Sequence, residues 1–265
     1  EVAGVEWWRS VLKIKSYVDG DRTVYEWEYF DEEDMARIDL VGIDASKSRM
    51  YIDFTMADRY GLHQVDLETG DLSPVLFNGR SVGKTSVVRD SFTNGVIGFT
   101  FANDLPQVKY IDSDFADVAD KAQSILKSDS VRLISWTRDK TLFTLVSRKD
   151  GEPSTYYLYD RAAPSISPIG GEAPWLADAP LGTVKAFTYE ARDGMALKGY
   201  YTLPAGATTQ DGPFPTVLMP HGGPQARDYA TYDWMAQALA AEGYLVIQPN
   251  FRGSSGYGFD YLSAG

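Results

Sequence analysis

Two short apolar runs that do not alternate with polar residues constrain this chain more than any other feature. Val217-Leu218-Met219 and Tyr244-Leu245-Val246-Ile247 lack the period of two that a half-exposed strand shows, so each reads as a strand buried on both faces, the parallel-sheet kind. The first run stops at Pro220 and is followed by His221-Gly222-Gly223-Pro224. Glycine pairs let the backbone turn tightly and bring its N–H groups close to a ligand, because no Cβ stands in the way. Between the runs, residues 232–242 read as a helix. Met235, Ala238, Leu239 and Glu242 fall at helical spacing, Thr231 or Asp233 is placed to cap the start, and Gly243 fits the position just past the end. Strand, glycine turn, helix and strand make one βαβ unit. Its turn lies at the carboxyl end of the first strand, where open α/β sheets bind ligands. Strands apolar on both faces need helices on each side, and only one helix pattern follows residue 183, so further polypeptide is expected to complete this sheet.

Residues 1–178 read differently, as all-β. Alternating runs such as Thr23-Val24-Tyr25-Glu26-Trp27-Glu28-Tyr29 and Leu142-Phe143-Thr144-Leu145-Val146 lie between turn signals such as Asp19-Gly20 and Asp150-Gly151. An internal repeat runs through them. The stretch from Gly61 to Val75 can be laid on that from Thr155 to Ile169, and a looser copy, 107–112, lies between. The anchoring aspartates Asp66, Asp112 and Asp160 are 46 and 48 residues apart. A period of roughly 40–50 residues with several strands per unit is that of β-propeller blades. Each aspartate is expected to cap a turn by accepting from nearby backbone N–H groups. This period gives about four blades, the lower limit for closing a propeller, so earlier blades are expected to be missing from the sequence. Residues 115–127 break the β pattern with apolar residues at Phe115, Val118, Ala119, Ala122, Ile125 and Leu126, and predict a short inserted helix. The Pro-, Ala- and Gly-rich stretch 171–182 reads as a link. After it, residues 183–189 and 196–203 predict a hairpin around Asp193-Gly194.

His221-Gly222-Gly223-Pro224, Arg227-Asp228 and Asn250-Phe251-Arg252-Gly253-Ser254-Ser255-Gly256-Tyr257-Gly258 together resemble the opening of the α/β-hydrolase domain in the prolyl oligopeptidase family of serine peptidases. The acylaminoacyl-peptidase and dipeptidyl-aminopeptidase-like branch is the most similar. The resemblance implies a mixed fold in two domains. Residues 1–178 would be C-terminal blades of a β-propeller, and residues 179–265 the N-terminal, incomplete part of an α/β-hydrolase domain. It also implies a parent enzyme that cleaves short peptides through an acyl-enzyme, with the propeller limiting access by size.

Acyl transfer by a serine enzyme needs a nucleophile, a base, an orienting carboxylate and donors for the oxyanion. In α/β-hydrolases the nucleophile lies in Gly-x-Ser-x-Gly, with the acid and then the histidine after it. No such motif occurs here, and Gly253-Ser254-Ser255-Gly256 is one residue too short. His63 and His221 both precede any position for a nucleophile. The triad is therefore expected outside this chain, which alone should be inactive. The resemblance assigns one oxyanion donor, the backbone N–H of Gly223, on a loop shared with His221 and Gly222. Arg227 and Arg252 are candidates for substrate contact or for structural ion pairs, the latter favoured for Arg252. An esterase on the same fold and a non-catalytic propeller serving as an interaction module are the alternative readings.

Composition narrows the partners. A net charge of −12 and a pI near 4.6 argue against nucleic acid or an anionic membrane. No apolar run approaches the ~18 residues of a membrane span. With no cysteine, thiolate catalysis, disulfides and cysteine-ligated zinc are excluded, although cytoplasm and periplasm are not distinguished. No metal or organic cofactor is implied, and the expected partners are a peptide substrate and the rest of the peptidase. The stretch 79–85 resembles a phosphate loop but has Asn78 where the first glycine belongs. Asp112, Asp114 and Asp117 lack the mid-loop glycine of a calcium loop and read as a solvated turn. His63 reads as a surface or blade-packing residue.

Overall fold

A computed structural model describes residues 3–8, 11–16, 22–28, 38–44, 46, 48–54, 61–73, 86–163 and 165–265. The Asp19-Gly20 turn and the stretch 79–85 lie outside them. The chain is mostly β-sheet with few helices, in two compact units: residues 1–100 with 257–259, and residues 101–256 with 260–265.

In the first unit, β1 (Ala3–Trp8), β2 (Val11–Ser16) and β3 (Arg22–Glu28) form one antiparallel three-stranded sheet. A second is formed by β4 (Ile38–Ile43), β5 (Arg49–Phe54) and β6 (Gly61–Asp66). β7 (Ser86–Arg89) pairs with β8 (Val96–Ala102). Tyr51, Leu62, Val96 and Phe99 make a core cluster, while Met50, Ile52 and Val65 are fully buried. Since neighbouring residues of a strand point to opposite faces, β5 is covered on both sides. His63 is buried on β6, with Nδ1 3.0 Å from the Ser73 carbonyl, which makes it a packing residue.

The second unit opens with β9 (Pro106–Tyr110) and α1 (Ser113–Leu126). The helix begins two residues earlier than the sequence pattern suggests, because Asp112 caps it, accepting from Asp114 N and Phe115 N. Phe115, Val118, Ala119 and Ala122 are buried, but Ile125 is 63% exposed, so the expected apolar stripe ends a turn early. β10 (Ser130–Trp136), β11 (Leu142–Arg148), β12 (Thr155–Asp160) and β13 (Ser165–Gly171) follow as a four-stranded antiparallel meander. No closed sheet occurs among the described residues.

A separate mixed sheet then forms from β14 (Thr183–Glu190), β15 (Ala196–Leu203), β16 (Thr216–Leu218) and β17 (Leu245–Asn250), in the order β14-β15-β17-β16. The hairpin β14–β15 closes at Asp193-Gly194 as its turn signal requires, with Ala191 N donating to Met195 O. β16 and β17 are parallel, with Val217 opposite Val246, and α2 (Trp234–Ala241) crosses between them. Asp233 is the N-cap and Gly243 adopts φ +88° just past the end, both as the sequence indicates. Coverage of this sheet is uneven. Val246, Gln248 and Asn250 are buried along one face of β17, whereas Leu218 on β16 is 66% exposed. The residue 178 boundary expected from sequence falls inside this second unit.

Candidate active site

The turn at the carboxyl end of β16 is shaped by its glycines. Gly223 has φ +135°, and a Cβ there would stand 2.9 Å from Ala226 N and 3.0 Å from Ala226 Cβ, so no other residue fits without displacing backbone. A Cβ on Gly222 would meet nothing within 4 Å. Both glycines are exposed, and among the described residues neither N–H has a hydrogen-bond acceptor. Two adjacent free amides on a strand-to-helix turn are suited to an anionic oxygen.

His221 is held on three sides. Its ring stacks on Phe251 at 4.4 Å and 18°, Nε2 lies 2.8 Å from Ser254 Oγ, and Nδ1 lies 3.0 Å from the Gly222 carbonyl oxygen. Ser254 is fully buried and donates its hydroxyl to Phe251 O. The two sequence motifs are thus joined face to face. Ser255 N donates to Ala226 O at 2.9 Å, and Arg227 Nη1 donates to Gly256 O at 3.2 Å. Asn250, also fully buried, clamps the backbone of Asp228 from both sides: Oδ1 accepts from its N–H at 2.7 Å and Nδ2 donates to its carbonyl at 3.1 Å.

Arg227 is 8% exposed. Its guanidinium donates to Asn103 O, Gly256 O and the Tyr200 hydroxyl, which in turn donates to Asp104, and its Nε donates to Asp228 O. Arg252 is exposed and pairs with Asp193 at 2.8 Å, which raises the arginine pKa and lowers that of the carboxyl.

A cleft of about 390 Å³ lies beside the turn, lined by residues that include Met219, His221, Asp228, Tyr232, Asp233 and Trp234. Burial is the largest influence on Asp228 and raises its pKa. The nearby Asp233 reinforces the shift, and the proximity of His221 and of the Arg227 guanidinium opposes it. Its Oδ2 is buried without a hydrogen-bond partner. Asp228, Asn250 and Ser254 all sit inside the sequence motifs, but only burial and hydrogen bonding distinguish them from their neighbours there. Asp114 is committed to Arg161 and Lys140, and Asp117 to Lys121.

No family model matches the chain. It is 31% identical over 249 residues to dipeptidyl aminopeptidase BIII of Pseudoxanthomonas mexicana, covering 90% of this chain and 36% of that protein. A puromycin-hydrolyzing peptidase of Mycobacterium tuberculosis shares the fold at TM-score 0.57 and 16% identity, over 98% of this chain and 41% of its own. A structure from a study of two prolyl endopeptidases gives TM-score 0.57 at 15% identity, over 96% of this chain and 36% of its own. Sheet, turn and relatives together make the chain similar to peptidases. Within that class the chain is similar in sequence and fold to peptidases of the prolyl oligopeptidase kind, and it spans about a third of the length of the first of these relatives (36%).

Proposed function

We propose that the chain is part of a serine peptidase that hydrolyses short peptides through an acyl-enzyme, and that it supplies one oxyanion donor, the Gly223 N–H, to a triad carried elsewhere in the protein. The observation that carries this reading is the pair of exposed amides without acceptors at residues 222–223, at the carboxyl end of β16 and next to a cleft. One preorganised donor of this kind stabilises the developing oxyanion by about 3–4 kcal/mol. Residues 1–178 act as blades of a β-propeller. The separate antiparallel meanders and the burial of β5 on both faces support this, since stacked blades cover each other. Residues 179–265 open the α/β-hydrolase domain, supported by the parallel β16–β17 pair with its crossover helix. Arg227 holds the turn against the 251–256 loop through backbone carbonyls, and Arg252 holds the β14–β15 turn through Asp193.

The test is hydrolysis by the complete natural protein. Dipeptidyl and acylaminoacyl p-nitroanilides are expected to be cleaved with a higher kcat/KM than simple acyl esters of matched leaving group. Gly223→Ala keeps the N–H but sets a Cβ 2.9 Å from Ala226 N, so the turn must shift and misdirect the donor; kcat is expected to fall by about a hundredfold, the order of one lost oxyanion donor. Cleavage of esters alone would support an esterase instead, and no turnover of either class would sink the catalytic reading.

A further inference from the structure

The turn that carries the proposed donor is held at its two ends. On one side Met219 N donates to Ile247 O, and the His221 ring rests on Phe251. On the other, the chain folds back so closely that a Cβ on Gly223 would stand 2.9 Å from Ala226 N. The placement of Ala226 therefore governs that of Gly223, whose own N–H has no acceptor among the described residues. Residues 226–230 form the stem of the turn. Ala226 O accepts from Ser255 N, Asn250 brackets the backbone of Asp228, and Ala230 N donates to Asp104 O at 2.8 Å.

Arg227 ties this stem most widely. A planar guanidinium serves several acceptors at once in a fixed geometry, which the single ammonium of a lysine does not reproduce. Nε donates to Asp228 O, Nη1 to Gly256 O, and the two protons of Nη2 go to Asn103 O at 2.9 Å and to the Tyr200 hydroxyl at 3.2 Å. The Tyr200 oxygen accepts from the arginine and gives its own proton to Asp104 Oδ1 at 2.9 Å, so donors and acceptors balance along the chain. A Cβ on Gly256 would stand 2.8 Å from Arg227 Nη1, so that glycine makes room for the guanidinium. Tyr200, on β15, is 1% exposed and packs with Leu105, Val184 and Ala230 in one core cluster. All of these residues lie in the second unit, yet Asn103, between β8 and β9, is 124 residues from Arg227 in sequence.

We infer that Arg227 and Tyr200 are positioning residues for the peptidase reaction: they seat the stem on residues 103–105 and so fix where the Gly223 N–H points. The inference rests on the peptidase reading above and makes the β8–β9 loop part of the active-site scaffold. An oxyanion develops only in the transition state, so a displaced N–H lowers kcat while substrate binding is retained.

The experiment compares Arg227→Lys and Tyr200→Phe with the unmodified complete protein on a dipeptidyl p-nitroanilide. Arg227→Lys keeps the positive charge and loses the fork. Tyr200→Phe removes one hydroxyl and decides the matter where Arg227→Lys does not fold. kcat is expected to fall roughly tenfold to a hundredfold in the first and about threefold to tenfold in the second, with KM within about twofold in both. A peptidyl aldehyde, which mimics the tetrahedral state, is expected to lose affinity in step with kcat/KM. Full kcat in Arg227→Lys would mean that charge alone suffices. That result, an unchanged kcat in Tyr200→Phe, or a loss confined to KM overturns the inference and leaves the peptidase reading standing. Absence of hydrolysis in the unmodified protein overturns both.

Discussion

Asp228 carries the least comfortable charge of the site. Burial raises its pKa, its Oδ2 has no hydrogen-bond partner, and the nearby Asp233 adds repulsion. The folded state therefore holds the Asp228 proton more tightly than the unfolded state does. The stability linked to this proton is fully present below the unfolded carboxyl pKa and is lost as pH rises through the raised folded value. Asp228→Asn removes that loss. It is expected to raise the unfolding free energy near pH 8 by about 1 kcal/mol, a modest figure because the group is only half-buried. The gain should shrink as pH is lowered towards the ordinary carboxyl range. Urea titrations of both proteins at several pH values check this, and a gain that grows on acidification would contradict it. At this scale the tight turn at Gly222 and Gly223 was legible in the sequence, since adjacent glycines follow directly on the end of an apolar run. Ser254 was not: a serine one residue out of a nucleophile motif shows nothing of its burial until the fold turns it towards His221.

The aspartate repeat shows how far an element can be read. Asp66 accepts from the amides of Glu68 and Thr69, and Asp160 from those of Ala162 and Ala163. Asp112 makes the same two bonds, to Asp114 and Phe115, yet there the turn continues into α1. The local chemistry is shared, and apolar spacing after it decides between a hairpin turn and a helix. The far end of α1 could not be read in the same way. Lys127 takes the left-handed conformation, φ +50°, where glycine is the usual occupant, and nothing in its neighbours announces this. The two ends of α1 should respond with opposite signs. Asp112→Ala is expected to cost about 1 kcal/mol through the lost cap, whereas Lys127→Gly is expected to gain roughly 0.5–1 kcal/mol by relieving a conformation that glycine adopts freely. Thermal unfolding of both variants measures the pair, and a loss on Lys127→Gly would show that its side chain matters more than its backbone.

For the molecule as a whole, the question is whether these 265 residues carry a nucleophile of their own. Ser254 and His221, 2.8 Å apart, have the spacing of a serine–base pair. Two features set them apart from one. Ser254 is fully buried, so no carbonyl carbon can reach its Oγ, and that oxygen already donates to Phe251 O. His221 Nδ1 faces the Gly222 carbonyl, where a catalytic histidine turns to a carboxylate. The parallel β16–β17 pair and its crossover helix were legible from the apolar runs and helical spacing, but this distinction needed burial, a property of packing that motif spacing does not record. A fluorophosphonate probe, which labels only an activated and accessible serine, settles the point. The isolated chain 1–265 is expected to remain unlabelled and to release no p-nitroaniline from dipeptidyl substrates, while the complete protein is labelled at a single serine other than Ser254. Labelling of Ser254, found by peptide mapping, would move the nucleophile into this chain and recast the His221–Ser254 contact as catalytic rather than supporting.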